Sequence, residues 1–279
     1  MKKEKYYCID YNQGIRDLLI ELGVPHKVEM LMENPFLIFT VYDDQPCWEK
    51  LRCVLPKSRV DTMIFTKKEM REAPWLTMRS KCIKLESRND MVTFSFRCIE
   101  TRENPNKTLY QVAHHYTQVA PYEFKPIKWG THNHFYSSYS GDYYTLFCDD
   151  YAKGVLCNGE LSGVRFDPVI WYKKGCFLPD AHQIVPVGQI PRDALTIDEE
   201  NTTRSECPFC HEERYDFNNV MRIIVKENVL DPACDFYATP QLFGWRLPVS
   251  MMVVSQKVYR ILTEANLTRN LVFEPVVLT

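Results

Sequence analysis

The sequence predicts an α+β fold: mixed and antiparallel sheets, short helices, and a helix–strand unit that occurs twice in the carboxy-terminal half. Three observations carry this reading. Short apolar or alternating runs such as Phe36–Tyr42 (FLIFTVY) and Val92–Ile99 (VTFSFRCI) have the length and period of strands. Helical spacing is confined to brief stretches such as Gln13–Leu22, where Ile15, Leu18, Leu19 and Leu22 form one stripe. The run Leu146–Ile170 (LFCDDYAKGVLCNGELSGVRFDPVI) is matched by Val253–Val277 (VVSQKVYRILTEANLTRNLVFEPVV). Leu156 matches Leu262, Leu161 matches Leu267, and FDPV at Phe166–Val169 matches FEPV at Phe273–Val276, with one small gap near Asn270. A fixed-order match of this kind marks an internal repeat.

The elements follow in chain order. Lys5–Asp10 reads as a strand, and the helix Gln13–Leu22 is stopped by Gly23 and Pro25. Phe36–Tyr42 is continuous enough to be a buried strand, and Pro46 suits the first turn of a short helix reaching Cys53. After a strand at Val60–Phe65, Thr66 and Glu69 have the spacing of a capping box, opening a helix that ends before Pro74. Cys82–Leu85 and Met91–Ile99 read as a hairpin joined by a polar turn, followed by the loop Thr101–Lys107. Tyr110–Phe124 and Ile127–Tyr136 read as aromatic-rich strands. In the first unit, Asp149 or Asp150 caps a helix that Leu161-Ser162-Gly163 terminates, and Val164–Ile170 is its strand. Strands at His182–Val187 and Val220–Val225 precede the second unit. There Ser255 is the expected N-cap, Val258, Ile261, Leu262 and Ala265 the helical stripe, and Leu271–Leu278 the closing strand.

These elements divide into an α/β amino-terminal part, 1–105, and a part 106–279 holding the two units (146–170 and 253–277) and a cysteine-bearing insert (196–245). With 45% hydrophobic and 25% charged residues, the composition is that of a folded globular chain. Thirty-four basic and 36 acidic residues leave a net charge of -2, so no global field attracts nucleic acid. No apolar run approaches the ~18 residues of a membrane helix, and no signal-type segment follows Lys2–Lys5; a cytoplasmic location is expected. The 11 cysteines lie mostly in apolar stretches and read as small hydrophobes rather than a disulfide framework.

Cys207-Pro208-Phe209-Cys210 is the one compact metal-type motif: two thiolates at this spacing can take adjacent corners of a zinc tetrahedron. Cys234 and Cys176 are the candidates to complete the set, with His211 and His182 as alternatives. The competing reading is a pair of free thiols in a turn. His132 and His134 would share one face of a strand and could form a dispersed acid–base site with Asp142. The competing reading is structural histidines in a sheet rich in Trp129, Phe135, Tyr136 and Tyr143. Neither G-x-G-x-x-G, a phosphate loop, H-E-x-x-H nor G-x-S-x-G occurs.

Four segments together resemble a known family: CPFC at 207–210, Cys234-Asp235-Phe236, SQKVYRILTEANL at 255–267, and FEPV at 273–276. They are similar to the bacterial polymorphic-toxin immunity proteins, a domain-of-unknown-function family with double-CxxCG relatives. The resemblance is confined to the second half. It implies a non-catalytic cytosolic protein that binds and neutralises a cognate toxin or other protein partner. The chain departs from the family pattern in having a single C-x-x-C, with His211 where a glycine would stand. The alternative expectation is a nucleic-acid-associated phage-defence or regulatory protein using a zinc-knuckle-like turn, which the charge balance disfavours.

Overall fold

The computed structural model describes residues 2–31, 33–56, 60–86, 94–96, 116–138, 144–198, 203–206, 213–216, 222–243 and 249–279. The amino-terminal sheet contains β1 (Lys2–Asp10), β2 (His26–Leu31), β3 (Asn34–Tyr42) and β4 (Val60–Ile64), in the order β2-β3-β1-β4 and antiparallel throughout. Strand alternation puts Tyr7, Leu37, Phe39 and Val41 on one face. That face is covered by Leu19 of α1 (Gln13–Glu21) and Leu51 of α2 (Trp48–Leu51). The Asn12 side chain caps α1 by accepting from Ile15 N. β2 escapes the sequence reading because its alternation is brief and half its residues are polar. α3 (Lys67–Glu72) opens on the expected capping box, with Thr66 and Glu69 bonded reciprocally.

From Trp75 onward the chain follows one course twice. The first pass is β5 (Trp75–Ser80), β6 (Ile83–Leu85), the paired strands β7 (Phe94–Phe96) and β8 (Tyr116–Gln118), β9 (Glu123–Phe124), β10 (Phe135–Ser138), β11 (Leu146–Cys148), α4 (Asp150–Asn158) and β12 (Val164–Trp171). The second is β13 (Cys176–Pro186), β14 (Gly188–Gln189), β15 (Leu195–Asp198), the paired strands β16 (Thr203–Glu206) and β17 (Glu213–Asp216), β18 (Arg222–Val225), β19 (Phe236–Phe243), β20 (Val249–Ser255), α5 (Gln256–Glu264), β21 (Leu271–Pro275) and β22 (Val277–Leu278).

The two passes agree in register, residue for residue. Leu146, Phe147 and Cys148 pair with Ile184, Gln183 and His182, as Met252, Val253 and Val254 pair with Met78, Thr77 and Leu76. Phe166 faces Ile184 as Phe273 faces Met78. Beyond the shared prolines, Ile170 and Trp171 run parallel to Glu123 and Phe124, as Val277 and Leu278 run parallel to Ile224 and Val225. After each helix one residue takes a left-handed conformation, Glu160 at φ 49 and Asn266 at φ 58. The repeated FxPV segments therefore occupy equivalent settings.

The first strand of each pass is inserted into the sheet of the other. β13 lies between β11 and β12, while β5 lies between β20 and β21. Each inserted strand then crosses home: β6 runs parallel to β10, and β14 parallel to β19. The crossings are fixed by equivalent bonds, Lys81 N to Asn270 O and Val187 N to Gly163 O, both 2.7 Å. β5 and β6 precede residue 105 yet belong to these sheets, so the self-contained amino-terminal unit is β1–β4 with α1 and α2. The stretch 196–245, expected as an insert, includes β18 and β19, which are the second pass's own counterparts of β9 and β10.

The central core lies on the helix-facing sides of both sheets. It joins Leu156 of α4, Leu262 of α5, Ile184, Met78, Phe166 and Phe273. Two outer cores mirror one another: Tyr136, Phe147 and Val169 with Tyr122, and Tyr237, Val253 and Val276 with Trp75. Leu156 and Leu262 are equivalent and fully buried. Leu156→Ala and Leu262→Ala should each cost about 2–5 kcal/mol in urea unfolding, since each removes buried methyl groups from the same cavity-intolerant core.

Candidate functional site

A cleft of about 580 Å³ opens where β13 leaves one sheet and β14 enters the other. Its walls come from β12 and β13 on one side, β19 and β20 on the other, and residues 118–122 across the mouth. The period-2 pattern of β13 turns Ala181, Gln183 and Val185 away from α4, and that of β12 turns Arg165 and Asp167 the same way. Gln183 and Gln118 form a reciprocal amide pair, each Nε2 donating to the other's Oε1 at 2.8 Å. Gln118 also donates to Ala120 O at 3.1 Å. Arg165 holds Asp167 with two bonds, Nε to Oδ1 at 2.5 Å and Nη2 to Oδ2 at 2.9 Å. That hydrogen bonding, followed by the carboxylate charge, raises the guanidinium pKa above its usual value. Val119 on the cleft wall is 60% exposed, and Val187, beside the lining residue Pro186, is 55% exposed. Apart from Asp167, which lies in the repeated FDPV segment, none of these residues belongs to a sequence motif. The signal available in the sequence was the alternation Arg165-x-Asp167, which places opposite charges on one strand face.

A second group surrounds the start of α4. Asp149 caps the helix through Oδ1, which accepts from Ala152 N at 2.8 Å, while Oδ2 meets His134 Nδ1 at 2.7 Å. Asp150 Oδ1 meets His182 Nε2 at 2.7 Å, and Lys153 Nζ lies 3.5 Å from His182 Nδ1. The other pass explains the first of these pairs. Asp235 stands where His134 does and Ser255 where Asp149 does, with Ser255 Oγ donating to Asp235 Oδ1 at 2.6 Å. The backbone bond is likewise conserved between passes, Asp149 N to His134 O and Ser255 N to Asp235 O. His134 thus braces a helix cap to the preceding strand. The expected His132–His134 face is not formed: His132 lies in the tight turn Gly130–Asn133, and β10 begins only at Phe135. Asp142 lies outside the described residues.

Cys207, Cys210 and His211 also lie outside the described residues. The other two proposed ligands do not fit one ion. Cys234 Sγ donates to Phe236 O at 3.4 Å and fills the space over Gly163 and Gly188, where an added Cβ would lie 2.3 and 3.0 Å from it. Cys176 is exposed at the opposite end of β13, paired with Trp171 at the far end of β12 from Gly163, roughly 25 Å away at the usual strand rise. Cys176 and Cys234 therefore cannot complete a single tetrahedron with the Cys207–Cys210 pair. Among the described residues no group of three His, Cys, Asp or Glu side chains is placed to hold a metal ion. Among them, too, no helix is long and apolar enough to cross a membrane.

Compared with protein-family models and with curated proteins, the chain matches none.

The thiols offer a direct check of this geometry. Burial, then the nearby Asp149 carboxylate, pushes the Cys148 thiol well above its usual pKa. At pH 8 an alkylating reagent should label the exposed Cys53, Cys157 and Cys176 and leave Cys148 unmodified until denaturant is added, as read by peptide mass spectrometry.

Proposed function

We propose that the chain acts by contact: it binds a protein partner, a cognate toxin or one of similar role, and neutralises it without turnover. The likeness of the 207–210, 234–236, 255–267 and 273–276 segments to immunity proteins supplies the partner class. The seam cleft is the observation that carries the contact role. Its Gln118–Gln183 amides have the hydrogen-bonding chemistry of peptide groups and are held in place by their mutual bonds. Pro121, Pro168 and Pro186 give apolar wall without backbone N–H groups. Val119 and Val187 offer exposed apolar surface at the mouth. Such a lining suits an extended, mostly uncharged segment of a partner polypeptide, with affinity concentrated in a few residues.

The experiment is co-expression with the toxin encoded beside the gene, followed by titration calorimetry of the purified pair. Val119→Asp and Arg165→Ala change exposed cleft side chains and should leave the melting temperature in place. Each should weaken the complex by about tenfold and reduce protection of cells. A complex that forms at full strength with both variants would remove the cleft from the account. No complex at all would remove the immunity reading.

A further inference from the structure

The amino-terminal sheet ends on β2, whose outer edge has no strand beside it among the described residues. The register leaves two residues between Leu31 and Asn34, and in a hairpin of that length the flanking pair is hydrogen-bonded. Alternation then directs the N–H and C=O groups of Leu31, Glu29 and Lys27 toward β3. Those of His26, Val28 and Met30 point outward. Val28 is 46% exposed and Met30 65% exposed, an apolar pair beside an unpaired edge. On the opposite face, Lys27 and Glu29 form an exposed ion pair within the strand.

We propose that β2 pairs antiparallel with β2 of a second copy of this chain, about a two-fold axis through Val28. The sequence of the edge selects this occupant. Antiparallel pairing centred on Val28 sets Lys27 opposite Glu29 of the second copy and Glu29 opposite its Lys27, so both charges find opposite partners across the strands. Val28 meets Val28, and Met30 meets His26, on the face that carries the exposed apolar surface. The outward backbone groups of the two strands also match: Val28 with Val28, and His26 with Met30 in both directions, are the hydrogen-bonded pairs. The result is one continuous sheet in which the four strands of each copy are joined edge to edge. This site is separate from the seam cleft and does not depend on the proposed partner.

The test is sedimentation velocity of the full chain across a concentration series. The expected result is a monomer–dimer equilibrium. Lys27→Glu should raise the dimer dissociation constant about tenfold, because it sets like charges opposite one another twice. Lys27→Glu combined with Glu29→Lys should restore wild-type association. Hydrogen exchange on the unaltered protein gives an independent reading: the Val28 and Met30 amides should gain protection as concentration rises. A chain that stays monomeric throughout overturns the proposal. So does a dimer that ignores Lys27→Glu, or one that the double exchange fails to restore, either of which places the contact elsewhere or with a different partner.

Discussion

β5 and β13 place their backbone hydrogen bonds in each other's sheets, and the rest of the molecule beyond Trp75 depends on this exchange. A strand–helix–strand unit such as β11-α4-β12 leaves a slot between its two strands, because both run antiparallel to the strand that must fill it. The chain fills that slot with the opening strand of the other pass. Each sheet is therefore incomplete without the other half, and the helices α4 and α5 are held over a common core. The cost is long-range closure: Arg79 of β5 meets Glu274 of β21 at a separation of 195 residues. Contacts of this kind order late and slow folding.

The exchange also provides an internal control. Where the two passes carry the same arrangement, the arrangement belongs to the scaffold. The His134–Asp149 pair is one example, because Asp235 and Ser255 do the same work in the second pass without an imidazole. Where the passes differ, the difference asks for an explanation. Gln183 corresponds to Thr77, and Arg165 with Asp167 corresponds to Val272 with Glu274, which is held instead by Arg79 from the inserted strand. Gln183, Arg165 and Asp167, all of the divergent set, line the seam cleft.

Local chemistry was legible in the sequence. The capping box at Thr66–Glu69, the caps at Asp149 and Ser255, the stripe Val258–Leu262 and the paired FxPV strands are short-range signals, and the structure has each of these elements. One cap differs in detail: Ser255 begins α5, but its hydroxyl serves Asp235 rather than a helix amide. What sequence could not show was non-local. The repeat begins at β5 and β13, but those strands share almost no residue types, since Leu76 answers to His182 and Thr77 to Gln183. The partners Phe135-Tyr136 and Phe236-Tyr237 match, but two aromatic residues are too short a signal to extend the repeat. The cleft is illegible in the sequence for a related reason: strands distant in sequence bring Gln118 to Gln183. Residue type alone groups Cys176 with Cys234, and the length of β13 separates them.

The reciprocal insertion is tested most directly by native-state hydrogen exchange across a denaturant series. If each inserted strand is locked between two strands of the other half, the amides of β5 and β13 open together and only with global unfolding. Their exchange should then converge on one free energy, shared by the buried amides of β11 and β20. Amides of β5 that exchange through a separate, lower-energy opening while β13 stays protected would contradict the exchange and reduce the two passes to independent sheets.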